Sequence, residues 1–200
     1  MITRASSVII LCGLLLAGCA SQPSDVTPDL PWEQRRTVLA TLENWKINGK
    51  LALRRADFAE SANMVWVQEG EVAFVNLTGP WGIAATRLRT DGSTLEVEQG
   101  EERAVYDIST PEAAANSTGW DLPVHSLSTW VLGIPHDDKR AGEMQIENDL
   151  VQAFSEDGWQ IQYERYEQFG LYTLPTRMRI ENEELRATII MYDWSVSQHR

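Results

Sequence analysis

The chain has 200 residues, with 17 basic against 29 acidic side chains and a formal net charge of −12. That balance excludes general attraction to nucleic acid or to anionic headgroups, both of which call for a basic surface. Two cysteines, Cys12 and Cys19, leave no scope for a disulfide framework, so stability has to come from burial.

The N-terminus reads as an export signal. Arg4 precedes an uncharged stretch, Val8-Ile9-Ile10-Leu11-Cys12-Gly13-Leu14-Leu15-Leu16, which is too short to span a bilayer. It ends in Leu16-Ala17-Gly18-Cys19. There the small residues suit a peptidase groove and the thiol takes a diacylglycerol before cleavage. Residues 1–18 are therefore expected to be removed, leaving Cys19 as a lipidated N-terminus with an acylated amine. An ordinary signal peptide that happens to contain a cysteine is the alternative. Losing Arg4 takes 17 basic residues to 16 against 29 acidic, a net charge of −13. Membrane attachment then rests on lipid and apolar contact.

Residues 19–29 form the predicted tether. Ala20 to Asp29 is small, polar and proline-bearing, without apolar periodicity, and is expected to be disordered. Ten such residues have a root-mean-square reach of roughly 15–20 Å and a stretched limit of about 35 Å.

Residues 30–200 are predicted to fold as one domain. Pro31 to Leu42 reads as a helix, with proline in its first turn and Val38, Leu39 and Leu42 at helical spacing. Most later segments alternate like strands. Ile47, Gly49, Leu51 and Leu53 share one face, as do Leu95 and Val97, Trp159, Ile161 and Tyr163, and finally Leu185, Ala187, Ile189 and Met191. Gly70, Asp91-Gly92, Gly100 and Asp157-Gly158 punctuate them as hairpin turns. Two segments break the pattern: an alanine-rich stretch from Pro111 to Ser117, and Leu122 to Leu132, which stops at Gly133.

About ten or eleven antiparallel strands with few helices suggest a single curved sheet with helices over its concave face. Met64 to Val67, Ala73 to Val75 and Ile189 to Tyr192 are apolar on both faces. From pattern alone this is either a lined interior or a second small core under the helices.

Catalytic constellations are absent. His125, His136 and His199 stand at no metal-ligand spacing, and neither a phosphate loop nor a nucleophile elbow appears. The acid pairs Asp137-Asp138 and Glu183-Glu184 lie in polar, turn-like stretches. No cofactor is implied. Gly79-Pro80-Trp81-Gly82, between two apolar strands, suits a type I turn with Trp81 at its tip. The indole either folds back on the sheet or stays exposed to dip into a membrane interface.

A set of short motifs runs in order along nearly the whole domain. They are Trp45 with Gly49-Lys50-Leu51-Ala52, Trp66-Val67-Gln68, Leu77-Thr78-Gly79-Pro80-Trp81-Gly82 and Gly119-Trp120-Asp121-Leu122-Pro123-Val124. Leu127 with Trp130-Val131-Leu132-Gly133-Ile134-Pro135, Gly158-Trp159 with Tyr163 and Tyr166, Leu174-Pro175 and Asp193-Trp194 complete them. In these the chain resembles the LolB family, outer-membrane receptors that take lipoproteins from the soluble carrier LolA and insert them into the membrane. The resemblance implies a mainly β fold, an unclosed half-barrel of about eleven antiparallel strands with helices as a lid over an apolar cavity. It also implies acylated lipoprotein cargo, outer-membrane phospholipid as the acceptor, a monomer and no enzymatic activity. Ala20 in place of Asp after Cys19 implies delivery to the outer membrane. The expected cavity lining is Leu51, Leu53, Trp66, Val75, Leu77, Leu88, Ile189 and Met191, with Trp130 on the lid. Where the family's protruding loop carries an aliphatic residue, commonly leucine, this chain has Trp81. The rival classes are a lipid-anchored structural subunit of an outer-membrane assembly complex and a tethered hydrolase.

Overall fold

The structure is a computed structural model that describes residues 30–79, 85–110, 113 and 123–197. The expected signal peptide and tether with Cys19, the loop residues Pro80, Trp81 and Gly82, most of the alanine-rich stretch, Gly119–Leu122 and His199 lie outside the described residues.

Helix α1 spans Trp32–Leu39 and begins after Pro31, whose fixed backbone angle suits a helix start. It is shorter than the expected Pro31–Leu42, because Thr41 and Leu42 N–H groups bond back three residues and tighten the last turn. Its buried face is Trp32, Arg35 and Leu39. Arg35 Nε donates to the backbone oxygen of Asp149 at 3.0 Å, and the Trp32 N–H donates to the Asp149 carboxylate at 3.2 Å.

Eleven strands follow: β1 (Asn44–Arg54), β2 (Ala59–Glu69), β3 (Val72–Thr78), β4 (Thr86–Thr90), β5 (Thr94–Gln99) and β6 (Glu102–Asp107), then, after a helix, β7 (Gln145–Glu147), β8 (Leu150–Glu156), β9 (Trp159–Phe169), β10 (Tyr172–Glu181) and β11 (Arg186–Val196). That helix, α2, is Val124–Trp130. All strands belong to one sheet in the order β6-β5-β4-β3-β2-β1-β11-β10-β9-β8-β7. The mainly β, unclosed antiparallel architecture read from the sequence is the one observed.

The expected turns carry the left-handed residues that tight hairpins need. Asp157 and Gly158 have φ of 52° and 83°, and Gly70, Gly92 and Gly100 are also positive. The β7–β8 turn achieves this with Asn148 and Asp149, both at positive φ and without glycine. Inward-facing Trp45, Trp66 and Trp194 pack together, with ring centroids 5.2 and 5.3 Å from Trp45. Trp194 Nε1 donates to the Pro175 carbonyl at 2.9 Å, beside a bulge between Pro175 and Arg177 that accommodates a residue with no N–H to offer the ladder.

The seam between β1 and β11 runs from Trp45 opposite Val196 to Arg54 opposite Arg186, with a bulge at Asn48/Gly49. At Gly49 the strands approach so closely that a Cβ would collide with the Ile190 carbonyl oxygen. Gly49→Ala is therefore expected to destabilise the domain by about 1–3 kcal/mol through overpacking against backbone. Urea denaturation of the two forms measures this; an unchanged midpoint would mean that β11 shifts freely at the bulge.

Candidate functional site

A chamber lies between α2 and the concave face of the sheet. From β1 to β3 it is lined by Leu51, Met64, Trp66, Ala73, Val75 and Leu77; from β4 and β5 by Leu88 and Leu95; and from β10 and β11 by Ile180, Ala187 and Ile189. Helix α2 contributes Val124, His125, Leu127 and Ser128. Leu95 and Ile180 are six strand spacings apart in the sheet order, which would be about 29 Å on a flat sheet. That both line one small chamber requires the sheet to curl around it. The free volume is about 100 Å³. An apolar cavity of about 150 Å³ holds a benzene molecule, so the chamber as it stands is too small for a long alkyl chain. The ionisable side chains of the lining are Glu71, in the exposed β2–β3 turn, and His125.

Helix α2 is fixed to the sheet at its C-terminal end. Glu156, at the end of β8 and 1% exposed, accepts three hydrogen bonds. They come from Trp130 Nε1 at 2.7 Å, the His136 N–H at 3.0 Å and the Asp137 N–H at 2.7 Å. Tyr163 donates its hydroxyl to the Trp130 carbonyl at 2.7 Å, and burial raises its pKa well above the ordinary value, which keeps that donor protonated. Between these contacts the chain turns through Gly133 at φ 87°, where a side chain would press on Tyr166 and Pro175. The chamber-facing residues of α2 all precede this anchor.

His125 meets His136 edge-on, with ring centroids 5.3 Å apart. Burial lowers the His125 pKa first, followed by the charge of His136. Asp157 and Glu156 act to raise it, and Arg140 acts with His136.

Of the side chains singled out from the sequence, Leu51, Trp66, Val75, Leu77, Leu88 and Ile189 come together around the chamber. Leu53 borders a separate surface hollow with Arg54, Arg179 and Arg186. Met191 and Trp130 are fully buried in the main core, Trp130 at the C-terminal end of α2 and bonded to Glu156. Gly79 is described and half-buried, at the end of β3; Pro80, Trp81 and Gly82 lie outside the described residues. Sequence reasoning missed Ala73, Ile180 and Ala187, which share the inward parity of their strands, and it missed Glu156, an acid two residues after the core residue Phe154 and therefore on the same face.

A second hollow of about 550 Å³ lies under the end of α1, next to the β2–β3 turn and the chain after α2. It shares Gln68, Glu71 and Ser128 with the chamber. Gln68 is held in place, accepting from Trp66 Nε1 at 3.2 Å and donating to the Gly70 carbonyl at 2.8 Å.

Residues 43–194 match the family model described as outer membrane lipoprotein LolB. The chain is 34% identical over 193 residues to the outer-membrane lipoprotein LolB of Stutzerimonas stutzeri, covering 92% of each chain. It is also 34% identical over 194 residues to that of Pseudomonas putida strain F1, again covering 92% of each. Among solved structures, a LolA superfamily protein from Nitrosomonas europaea shares the fold, with a TM-score of 0.51 at 11% identity over 84% of this chain and 93% of the other. A DUF1329 family protein from Desulfovibrio piger superposes with a TM-score of 0.54 at 12% identity, covering 88% and 94%.

Two outcomes are expected from the lid anchor. Glu156→Ala leaves three donors without their acceptor and is expected to cost about 2–4 kcal/mol, read by chemical denaturation, with faster amide exchange at His136 and Asp137. Normal protection of those amides would show that the carboxylate does not hold the lid. The second outcome concerns pH. The folded pKa of His125 lies below its ordinary 6.5, so the stability from its neutral form is present above that value and lost as pH falls through the folded pKa. Amide protection factors in α2, which correct for the slower intrinsic exchange in acid, are expected to fall as pH is lowered from about 7 to about 5, and His125→Gln to flatten the profile. An unaltered profile in that variant would remove His125 as the cause.

Proposed function

The chain belongs to the LolB family of outer-membrane lipoproteins, and from that membership and the roofed apolar chamber we propose that it is a lipoprotein receptor. It accepts acylated lipoproteins from the periplasmic carrier LolA and inserts them into the inner leaflet of the outer membrane. Residues 1–18 are its removed signal peptide, residues 19–29 its lipidated N-terminus and tether, and residues 30–200 the receiving domain, held as a monomer at the periplasmic face of the outer membrane through acyl chains on Cys19. The observation that carries the reading is the apolar chamber between α2 and an unclosed, strongly curved sheet.

The energetics ask for such a chamber. Burying an acyl chain is worth about 0.8 kcal/mol per methylene, on the order of 10 kcal/mol for one long chain. A lipoprotein therefore does not cross water unaided, and a protein must supply apolar contact in transit. Since the chamber holds about 100 Å³, uptake displaces α2 from the sheet, and the chamber-facing end swings about the anchor at Glu156. Trp81, in the Gly79-Pro80-Trp81-Gly82 segment of the sequence, assists the final step by perturbing the bilayer as cargo leaves.

The direct test is transfer of a purified, carrier-bound lipoprotein to this protein, followed by release into liposomes. Both steps are expected without a nucleotide. Failure to acquire cargo from the carrier, together with stable co-purification with a large complex, would replace the receptor reading by a structural one. Trp81→Glu is expected to accept cargo at the wild-type level and to lose most delivery to liposomes; normal delivery by that variant would remove the role given to the loop.

A further inference from the structure

An apolar chamber beside a bilayer faces a competitor, because phospholipid tails satisfy it as well as the tails of a lipoprotein. Discrimination must come from the heads. A triacylated cysteine presents a thioether, two glycerol esters and an amide, none of which is charged. A phospholipid presents a phosphate.

The second hollow is where such a head would sit once its chain lies in the chamber. The two spaces share Gln68, Glu71 and Ser128 in their walls, and the hollow, at about 550 Å³, is the larger. Its walls combine Leu42, Trp45, Leu132 and Ile134 with polar groups, an amphipathic surface suited to a glycerol backbone and its esters. Its charges are unbalanced toward acid. Glu43, Glu71 and Asp138 face one guanidinium, Arg36, with His136 beside them. Arg36 is already engaged by Asp138 and by Glu33 at 3.6 Å. Glu43 and Glu71 are exposed and belong to no ion pair among the described residues. A phosphate placed here meets carboxylates and an occupied guanidinium, a like-charge arrangement that disfavours the wrong ligand.

We propose that this hollow is a headgroup filter: it receives the uncharged glyceryl-cysteine head of an acylated lipoprotein and, through Glu43 and Glu71, rejects phosphate-bearing lipid. The proposal rests on the receptor reading and adds its selectivity. The experiment uses the mature chain with Cys19→Ala, which carries no acyl groups of its own. It is offered a triacylated cysteinyl-diseryl peptide amide, which carries no charge, in competition with phosphatidylglycerol vesicles, and bound lipid is extracted and quantified. The wild-type surface is expected to favour the peptide. Glu43→Lys with Glu71→Lys is expected to lower the peptide-to-phosphatidylglycerol ratio about tenfold, equivalent to about 1.4 kcal/mol, by gain of phospholipid. Glu43→Gln with Glu71→Gln should fall between. Both positions are exposed, so the fold should survive, and circular dichroism checks that it does. Equal ratios in all three proteins, or phosphatidylglycerol bound by the wild type as readily as peptide, would overturn the filter while leaving the receptor intact. A wild type that binds neither ligand would overturn both.

Discussion

Antiparallel pairing of β1 with β11 joins what would otherwise be two separate meanders into one sheet. The chamber depends on this seam, because its floor draws on both sides: Leu51 on β1, and Ala187 and Ile189 on β11. Leu51 stands opposite Ile189 in the register, so a one-residue slip would turn one of them outward. The bulge at Gly49 prevents that slip by allowing a backbone approach no other residue permits. Because β6 and β7 are unjoined edges among the described residues, the sheet curls without closing.

The lid is attached by a different kind of force. Glu156 is a buried carboxylate satisfied by three N–H donors rather than by a cation, an arrangement that fixes direction as well as distance. It binds the chain on both sides of Gly133, so the anchored point is short and stiff. Val124, His125 and Leu127, by contrast, are only partly buried and meet the sheet through apolar contact across a void. Apolar contact is non-directional and is replaced without loss by an acyl chain. The lid thus has directional, hydrogen-bonded anchorage at one end and only apolar contact at the other.

Much of this architecture was legible in the sequence because it rests on local chemistry. Alternation in Ile47, Leu51 and Leu53 and in Ala187, Ile189 and Met191 marked the inward faces, and Asp157-Gly158 marked a hairpin. Alternation reports a face but not what lies above it. Leu51 and Leu53 are equivalent in sequence, yet one lines the chamber and the other borders a surface hollow near the strand's end. Met191 and Ile189 are equivalent too, yet the first is buried in the core and the second lines the chamber. The Asn148-Asp149 turn escaped notice because its positive φ values fall on residues other than glycine. Glu156 escaped because its partners are a distant indole and two backbone N–H groups, which no local pattern encodes.

On the proposed receptor reading, the small volume of the chamber bears on how a relay can run without fuel. A receptor that held an acyl chain as well as a membrane does would never release it. One that is closed at rest must first separate α2 from the sheet, exposing apolar side chains such as Leu127 and Leu88 at about 25 cal/mol per Å². That cost is subtracted from the roughly 10 kcal/mol that burial of one long chain returns. Apparent affinity falls in proportion to the fraction of molecules that are open. On the proposed receptor reading, the strength with which α2 packs on the sheet would therefore set where the protein stands between carrier and membrane.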